Sequence, residues 1–355
     1  MEPMRCTVAV TGMNATDNPA PGVAVARALR HDAAFQGRII GLGYDALDPG
    51  FYMQGLLDGG GVLPYPSSGK DALLARMKVL RETFGIDVFV PTLDSELRAA
   101  IGLAAELRSM GIRTYLPTLE SLERSSKPRL AALNDAPGVR VPDSEAISSA
   151  DSIARLVRRF GLPLMVKGPY YGGDVAHSES DAVSSFHKYV ATWGVPVVLQ
   201  KFVAGEEYNV AAIGDGAGGL VGAVAMRKMA LTDKGKGWSG VTVDNPALLE
   251  MTRAVVQELR WRGPLEVEFL REASSGDLYV AEINPRFPAW VYLSAGAGQN
   301  LPSACVRLAL DLPVATPMPP YRPGTLFVRI SLDQISDLQP YEQLTSLGIL
   351  STGEP

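Results

Sequence analysis

Over the first 118 or so residues, short apolar runs alternate with helical patterns, and that rhythm narrows the folds open to the chain more than any other feature. "CTVAV" reads as a short buried strand, "PGVAVARALR" as a helix with Pro21 in its first turn, and "GRIIGLGYD" as the next strand. "KDALLARMKVLRETFG" is an amphipathic helix, "IDVFVPTLD" a strand, "ELRAAIGLAAELRSMG" a helix closed by Gly111, and "IRTYLPT" a further strand. Strands alternating with helices predict a parallel sheet covered on both faces, with ligands at the carboxyl ends of its strands. Two loops fall there, "TGMNATDNPAPG" at 11–22 and "PTLDSE" at 91–96.

Gly12 and Gly22 do not fit the spacing G-x-G-x-x-G, which argues against a dinucleotide site. The first loop either only turns the chain or offers Asn14 and Asp17 to a small polar ligand. Asp94 and Glu96 are either a helix cap and first-turn acid or contacts to a ligand.

At 355 residues the chain has room for two or three modules. With 46% hydrophobic and 20% charged residues it reads as an ordinary soluble globular protein. A formal net charge of −5 argues against a general nucleic-acid binder, though not against a local basic pocket. The start does not read as a signal peptide, and no apolar stretch is long enough for a membrane span. Cys6 and Cys305 lie far apart, which suits a reduced cytoplasmic protein with both thiols buried. His31, His177 and His187 show no metal-ligand spacing, which disfavours a zinc enzyme or a His-based hydrolase.

From about 119 the texture changes to α+β, with antiparallel pairs. "SLERSSKPRLAALNDAPGVRVPDS" reads as a helix and a Pro-bounded entry into a new unit, and "DSIARLVRRFG" as a second helix. "LPLMVKGPYYGGD" is a strand running into a Gly/Tyr loop, and "VPVVLQKFVAGEEYNVAAIGD" gives two strands around "AGEE". "GLVGAVAMRKMALTDKGKGWSG" is a strand followed by a basic loop, and "NPALLEMTRAVVQELRW" a helix. The last 40 or so residues are Pro-rich and then strand-like at "TLFVRISL", as in a wrapping extension.

"LEVEFLRE" and "DLYVAEIN", separated by "ASSG", read as a hairpin. With Glu268 opposite Glu282, Val267 faces Ile283 and Phe269 faces Ala281, giving one apolar face. The other face then gathers Glu266, Glu268, Glu282 and Asn284. A one-residue slip would mix the two faces. Opposed carboxylates repel, so this face is either wet or neutralised by a cation, and all-oxygen donors suit Mg²⁺.

Lys167 ends an apolar strand, where an ammonium is costly unless it is an edge residue or is aimed at an anion. Lys127 stands at a helix start suited to phosphate. "QKFV" at 200–203 is a strand edge whose backbone groups match an adenine ring, and Glu207 follows at ribose distance.

Lys127, "LMVKGPYYGG", "LQKFVAGEEYNV", "LEVEFL" and "VAEINPRF", in this order and spacing, resemble the ATP-grasp superfamily. Within it, the chain looks closest to the branch of the carbamoyl phosphate synthetase large chain and biotin carboxylase. The resemblance covers about 119–310 and implies an α/β and α+β architecture. It implies that residues 1–118 are a pre-ATP-grasp, Rossmann-like parallel-sheet domain, 119–199 the first ATP-grasp lobe, 200–315 the second lobe with the metal site, and 316–355 a C-terminal extension. The resemblance implies that Lys127 and Lys167 contact phosphates, that Gln200, Lys201, Phe202 and Val203 form the adenine hinge, and that Glu207 meets the ribose. It implies that Glu268, Glu282 and Asn284 hold Mg²⁺, with Mn²⁺ as a substitute, and that Arg286 faces the acyl phosphate. Arg227 and Lys228 fall where the family places basic residues near the γ-phosphate or substrate carboxylate; the alternative is a basic loop in solvent.

The chain departs from the family in carrying Gln200 where Glu is common. Its loop after Lys167 is also shorter and holds Tyr170 and Tyr171. It shows no second ATP-grasp copy and no glutaminase segment, which argues against carbamoyl phosphate synthesis and biotin carboxylation. The reaction implied is ATP-dependent carboxylate–amine or carboxylate–thiol ligation through an acyl phosphate. The alternatives are a kinase-like phosphotransferase and a non-catalytic nucleotide-binding protein. Amino acids, short peptides or a peptide natural-product precursor are the candidate substrates, with no nucleic acid or membrane partner. Many relatives are dimers, which leaves a homodimer open. Asn14, Asp94 and Glu96 are candidates to touch the substrate, and Trp290 and Tyr292 either line the same pocket or belong to the core.

Overall fold

Strands β1 (Thr7–Val10), β2 (Arg38–Gly43), β3 (Gly59–Val62) and β4 (Val88–Val90) lie parallel in the computed structural model, which describes residues 3–15, 19–233 and 235–351. Asp17 lies outside the described residues. Helices Pro21–His31 and Lys70–Phe84 connect the strands as the apolar spacing predicts. Sequence patterning misses β3, because its "GGGV" offers no β-branched run. Those glycines serve close packing: a Cβ on Gly61 would stand 2.6 Å from Leu80, and one on Gly60 2.9 Å from Phe51.

Two other expectations for this part are corrected. "IRTYLPT" forms no strand, only an isolated bridge from Arg113 to Val88. The single helix expected over 96–111 is two, Asp94–Gly102 and Ala104–Ser109, parted at Leu103, where Gly102 weakens the run.

The next sheet is antiparallel, in the order β5 (Ser144–Ile147), β8 (Val197–Lys201), β6 (Leu164–Lys167) and β7 (Gly173–Ala176). Helices Ile153–Phe160 and Glu179–Trp193 cover it, burying Ile153, Leu156 and Phe186 against Leu164, Val166 and Leu199. Residues 127–135, expected in a helix, are a 3₁₀ segment following the short helix Leu119–Arg124.

The largest sheet has six strands, in the order β13 (Leu278–Asn284), β12 (Arg262–Glu272), β9 (Gly205–Asp215), β10 (Leu220–Leu231), β11 (Gly237–Thr242) and β14 (Leu326–Val328). Helix Pro246–Leu259 packs on its apolar face with Val210, Val256, Leu265, Val267 and Phe269. This core continues into one face of the parallel sheet through Val8, Val10 and Leu29. Burying each large side chain contributes roughly 1.5–3 kcal/mol relative to exposure. Strand β14 adds an edge to the six-stranded sheet, and β15 (Ile349–Leu350) pairs with β3. Among the described residues no helix is long and apolar enough to cross a membrane.

Candidate active site

The β12–β13 hairpin follows the expected register through Glu266↔Asn284, Val267↔Ile283 and Glu268↔Glu282. It then slips, so that Phe269 pairs with Val280 rather than Ala281. Ala281 is the extra residue of a bulge, and its carbonyl accepts a hydrogen bond from Lys167 Nζ at 3.1 Å. The apolar and polar faces separate as the alternation requires: Val267, Phe269 and Ile283 are buried on the helix side.

The polar face is a hydrogen-bonded network. Buried Glu266 accepts from Asn209 Nδ2 at 2.7 Å, Trp290 Nε1 at 2.6 Å and Asn284 Nδ2 at 3.1 Å. Asn284 Nδ2 also donates to Glu268 at 2.9 Å. Burial, reinforced by the Glu268 charge, pushes the Glu266 carboxyl up to about 7. Burial likewise raises Glu282, against the opposing pull of Lys127.

Three lysines converge on these acids. Lys127 Nζ lies 3.3 Å from Glu282 and donates to the Tyr170 carbonyl at 2.8 Å. Lys228 Nζ lies 2.6 Å from Glu207 and 3.5 Å from Glu268. Burial opposes the charge on Lys228, but the Glu268 and Glu207 carboxylates outweigh it and hold its pKa above the ordinary lysine value. Lys167 shows the opposite balance: desolvation outweighs Glu282 and lowers its pKa. A phosphate oxygen beside it would favour its charged form.

Arg286 leaves the end of β13 and donates from Nε to Asp94 Oδ2 at 3.0 Å. Burial opposes its charge, while Asp94 and Glu266 raise its pKa. Tyr171, in the loop after β6, places its hydroxyl 3.5 Å from the same Asp94 oxygen. The rings of Tyr170 and Tyr171 rest against Trp193 at 6.0 and 5.8 Å between centroids.

Gln200–Val203 form the passage from β8 in one antiparallel sheet to β9 in the other. Gln200 and Val203 are buried, and Lys201 is exposed. Asn14 and Asp94 follow the adjacent strands β1 and β4 at their carboxyl ends. Asn14 Oδ1 is buried with no hydrogen-bond partner among the described residues.

Three of the sequence-derived candidates stand elsewhere. Arg227 lies on the other face of its sheet from Lys228, because successive strand residues alternate; it pairs with Tyr208 in register and with Glu206 at 3.5 Å. Glu96 is buried inside the parallel-sheet domain, accepting from Thr11 Oγ1, from the Thr92 and Leu93 amides at 2.8 and 3.0 Å, and from Tyr44 at 2.6 Å. It ties loops together rather than facing the cleft. Tyr292 packs on helix Pro21–His31, with the Arg27 guanidinium 4.4 Å above its ring. Sequence reading missed Asn209, and it placed Glu266 on the acidic face and Tyr171 in the loop after Lys167 without giving either a part in the site. For Glu266 the signal was present, since it shares a strand face with Glu268.

Among the described residues no three His, Cys, Asp or Glu side chains are arranged around one metal position. The donor set nevertheless fits Mg²⁺. Glu268 and Glu282 oppose each other in register with Asn284 alongside, a cluster of hard oxygens. Mg²⁺ ordinarily completes its shell with phosphate oxygens and water.

A parallel sheet followed by two antiparallel sheets, with the acids and Lys228 on the larger, Lys167 reaching in from the smaller and Lys127 from the 3₁₀ segment before it, is the ATP-grasp fold. Residues 194–330 match the family model described as ATP-grasp in the biosynthetic pathway with Ter operon. The carbamoyl phosphate synthase large chain of Clostridium botulinum (strain Eklund 17B / Type B) is 24% identical over 202 residues, which are 53% of this chain and 19% of that protein. This chain therefore spans about a fifth of the length of that relative. Biotin carboxylase from Campylobacter jejuni, solved as a β,γ-ATP complex, superposes with a TM-score of 0.70 at 17% identity, over 88% of this chain and 73% of that one. An L-amino acid ligase from Bacillus licheniformis superposes with a TM-score of 0.64 at 13% identity, over 88% and 75%. The family model and the carbamoyl phosphate synthase relative carry a resemblance in sequence, and the two solved structures a resemblance in fold.

Proposed function

We propose that the chain is an ATP-dependent carboxylate–amine (or carboxylate–thiol) ligase that forms ADP and phosphate. The reading rests chiefly on the meeting of Arg286 with the Glu266–Glu268–Glu282–Asn284 face, to which Lys127 and Lys228 are ion-paired. A nucleotide-binding module has no need of a half-buried arginine at the end of its acidic strand, and a kinase for hydroxyls has no carboxylate to receive.

In this reading the adenine lies along Gln200–Val203, the ribose beside Glu207, and the phosphates beside Lys127, Lys167 and Lys228. A carboxylate oxygen of the substrate attacks the γ-phosphorus, the bond to the β–γ bridging oxygen breaks, and ADP departs with that electron pair. Glu268, Glu282 and Asn284 would hold Mg²⁺, whose charge when bound offsets that developing on the transferred phosphoryl group. The amine nitrogen then attacks the acyl carbon, loses a proton to solvent, and the carbon–oxygen bond to phosphate breaks. Arg286 orients the carboxylate and then faces the tetrahedral oxyanion. Tyr170 and Tyr171 cover the acyl phosphate against water.

Substrate labelled with oxygen-18 in its carboxylate tests this directly. One labelled oxygen should leave in inorganic phosphate; unlabelled phosphate from a working reaction would sink the acyl-phosphate step.

A further inference from the structure

Asp94 and Arg286 come from different parts of the chain, one following β4 of the parallel sheet and the other following β13, and they meet with open edges. Asp94 Oδ2 takes both the Arg286 Nε bond at 3.0 Å and the Tyr171 hydroxyl at 3.5 Å. Oδ1 of the same carboxylate has no hydrogen bond among the described residues, and the side chain keeps 28% of its surface exposed. On Arg286 the Nη edge makes only long contacts, 3.4 Å to the Phe287 carbonyl, 3.5 Å to Asn284 Oδ1 and 4.0 Å to Glu266. An unfilled guanidinium edge accepts a carboxylate through two parallel N–H bonds.

The pair therefore presents a cationic edge next to an anionic oxygen. A simple carboxylate on the Nη edge of Arg286 would stand next to the free Asp94 oxygen with nothing to answer it. A zwitterion adds no net charge and answers both edges. We infer that Asp94 is the specificity-determining residue of the site, binding the ammonium of an α-amino acid through Oδ1 while Arg286 holds the carboxylate of the same molecule. The inference rests on the ligase reading above. It also separates the two substrates by chemistry. An ammonium held by Asp94 stays protonated and does not attack, so the bound amino acid is the acyl donor and a second molecule supplies the nucleophile.

Hydroxylamine, which traps an acyl phosphate as a hydroxamate whatever the natural acceptor, provides the test. With full-length protein and MgATP, the pairs are alanine and propionate, leucine and 4-methylpentanoate, and phenylalanine and 3-phenylpropanoate. For at least one pair the amino acid should exceed its des-amino partner in kcat/KM by at least about 10²-fold, as a site built to pair a polar group rejects the analogue lacking it. Asp94→Asn should collapse that ratio toward one, and Asp94→Glu should retain part of it. A role confined to orienting Arg286 would lower both members of a pair equally and leave the ratio intact; that result, or a wild-type ratio near one, overturns the inference while leaving the ligase standing. Absence of hydroxamate from every acid, amino or not, removes the ligase reading and this one with it. Circular dichroism of both variants distinguishes unfolding from lost selectivity.

Discussion

Glu268 and Glu282 stand directly opposite each other in the β12–β13 ladder, and each meets a lysine from a different element, Lys228 from β10 and Lys127 from the 3₁₀ segment at 127–135. Like charges so placed destabilise a sheet. The chain keeps them at the point where lysines and Arg286 converge, so the strain is local to the proposed chemistry.

Removing one of the two charges should therefore cost activity and not stability. Glu282→Gln should lower ADP release by at least about 10²-fold, because a group facing the transferred phosphoryl is lost. Its melting temperature should stay at or above that of the wild type, since the burial cost of the charge and the Glu268 repulsion together outweigh the lost Lys127 pair. A variant that releases ADP at the wild-type rate would remove Glu282 from the metal-binding set.

The two adjacent basic residues of β10 should behave differently. Lys228→Ala unpairs Glu207 and Glu268 and should reduce kcat/KM for ATP by about 10²-fold. Arg227→Ala loses an exposed pair with Glu206 on the back of the sheet, worth about 0–1 kcal/mol, and should leave kcat/KM within about twofold. Steady-state kinetics of the two variants side by side decide the matter; equal losses would mean that strand alternation misassigns Arg227.

The acidic hairpin was legible because strand alternation and charge repulsion act within a few residues. The pattern alone put Glu268 opposite Glu282 and separated Val267, Phe269 and Ile283 onto the apolar face. The bulge at Ala281 was not legible, since nothing local distinguishes it from an unbroken alternation, and it is Lys167 from another sheet that uses its carbonyl. Strand β3 was hidden for the same reason: its glycines are explained only by Phe51 and Leu80 arriving from elsewhere. Glu96 misled because an acid three residues into a helix looks the same whether it caps inward or faces a ligand. Its partners Thr11 and Tyr44 are 85 and 52 residues away.

The bond from Trp290 Nε1 to Glu266, 2.6 Å long, ties the segment after β13 to the acidic face. Trp290→Phe keeps the ring's apolar bulk and removes that donor, while Asn209 still serves the same oxygen. The expected loss is about 1–2 kcal/mol in urea unfolding. The position of Arg286, four residues earlier in the same turn, should loosen too, raising KM for the carboxylate more than KM for ATP. Unchanged stability would show that Asn209 and Asn284 alone satisfy the Glu266 carboxylate.

Glu96 offers a stability test that is separate from catalysis. Burial raises its pKa above the ordinary value of 4.5, although the bonds from Thr11, Tyr44, Leu93 and Thr92 act the other way. Below the ordinary carboxylate pKa the group is protonated in both folded and unfolded chains, and its contribution to stability is fully present. As pH rises, the unfolded chain ionises first. The folded state then binds more protons than the unfolded one, so stability falls until the pH passes the raised folded pKa. Glu96→Gln lacks this titration and, with its carbonyl oxygen kept by the Thr92 and Leu93 amides, sets an NH₂ against the Tyr44 hydroxyl in place of the accepting Oε2. The variant should be less stable at pH 4 by about 2 kcal/mol. The gap between wild type and variant should narrow as pH rises to 8, as read by urea unfolding across the range. ADP release per folded molecule should stay within about twofold, because the carboxylate is enclosed by Thr11, Tyr44, Thr92 and Leu93. A gap that widens with pH would mean that the ionised carboxylate is the stabilised form, with the four donors outweighing burial.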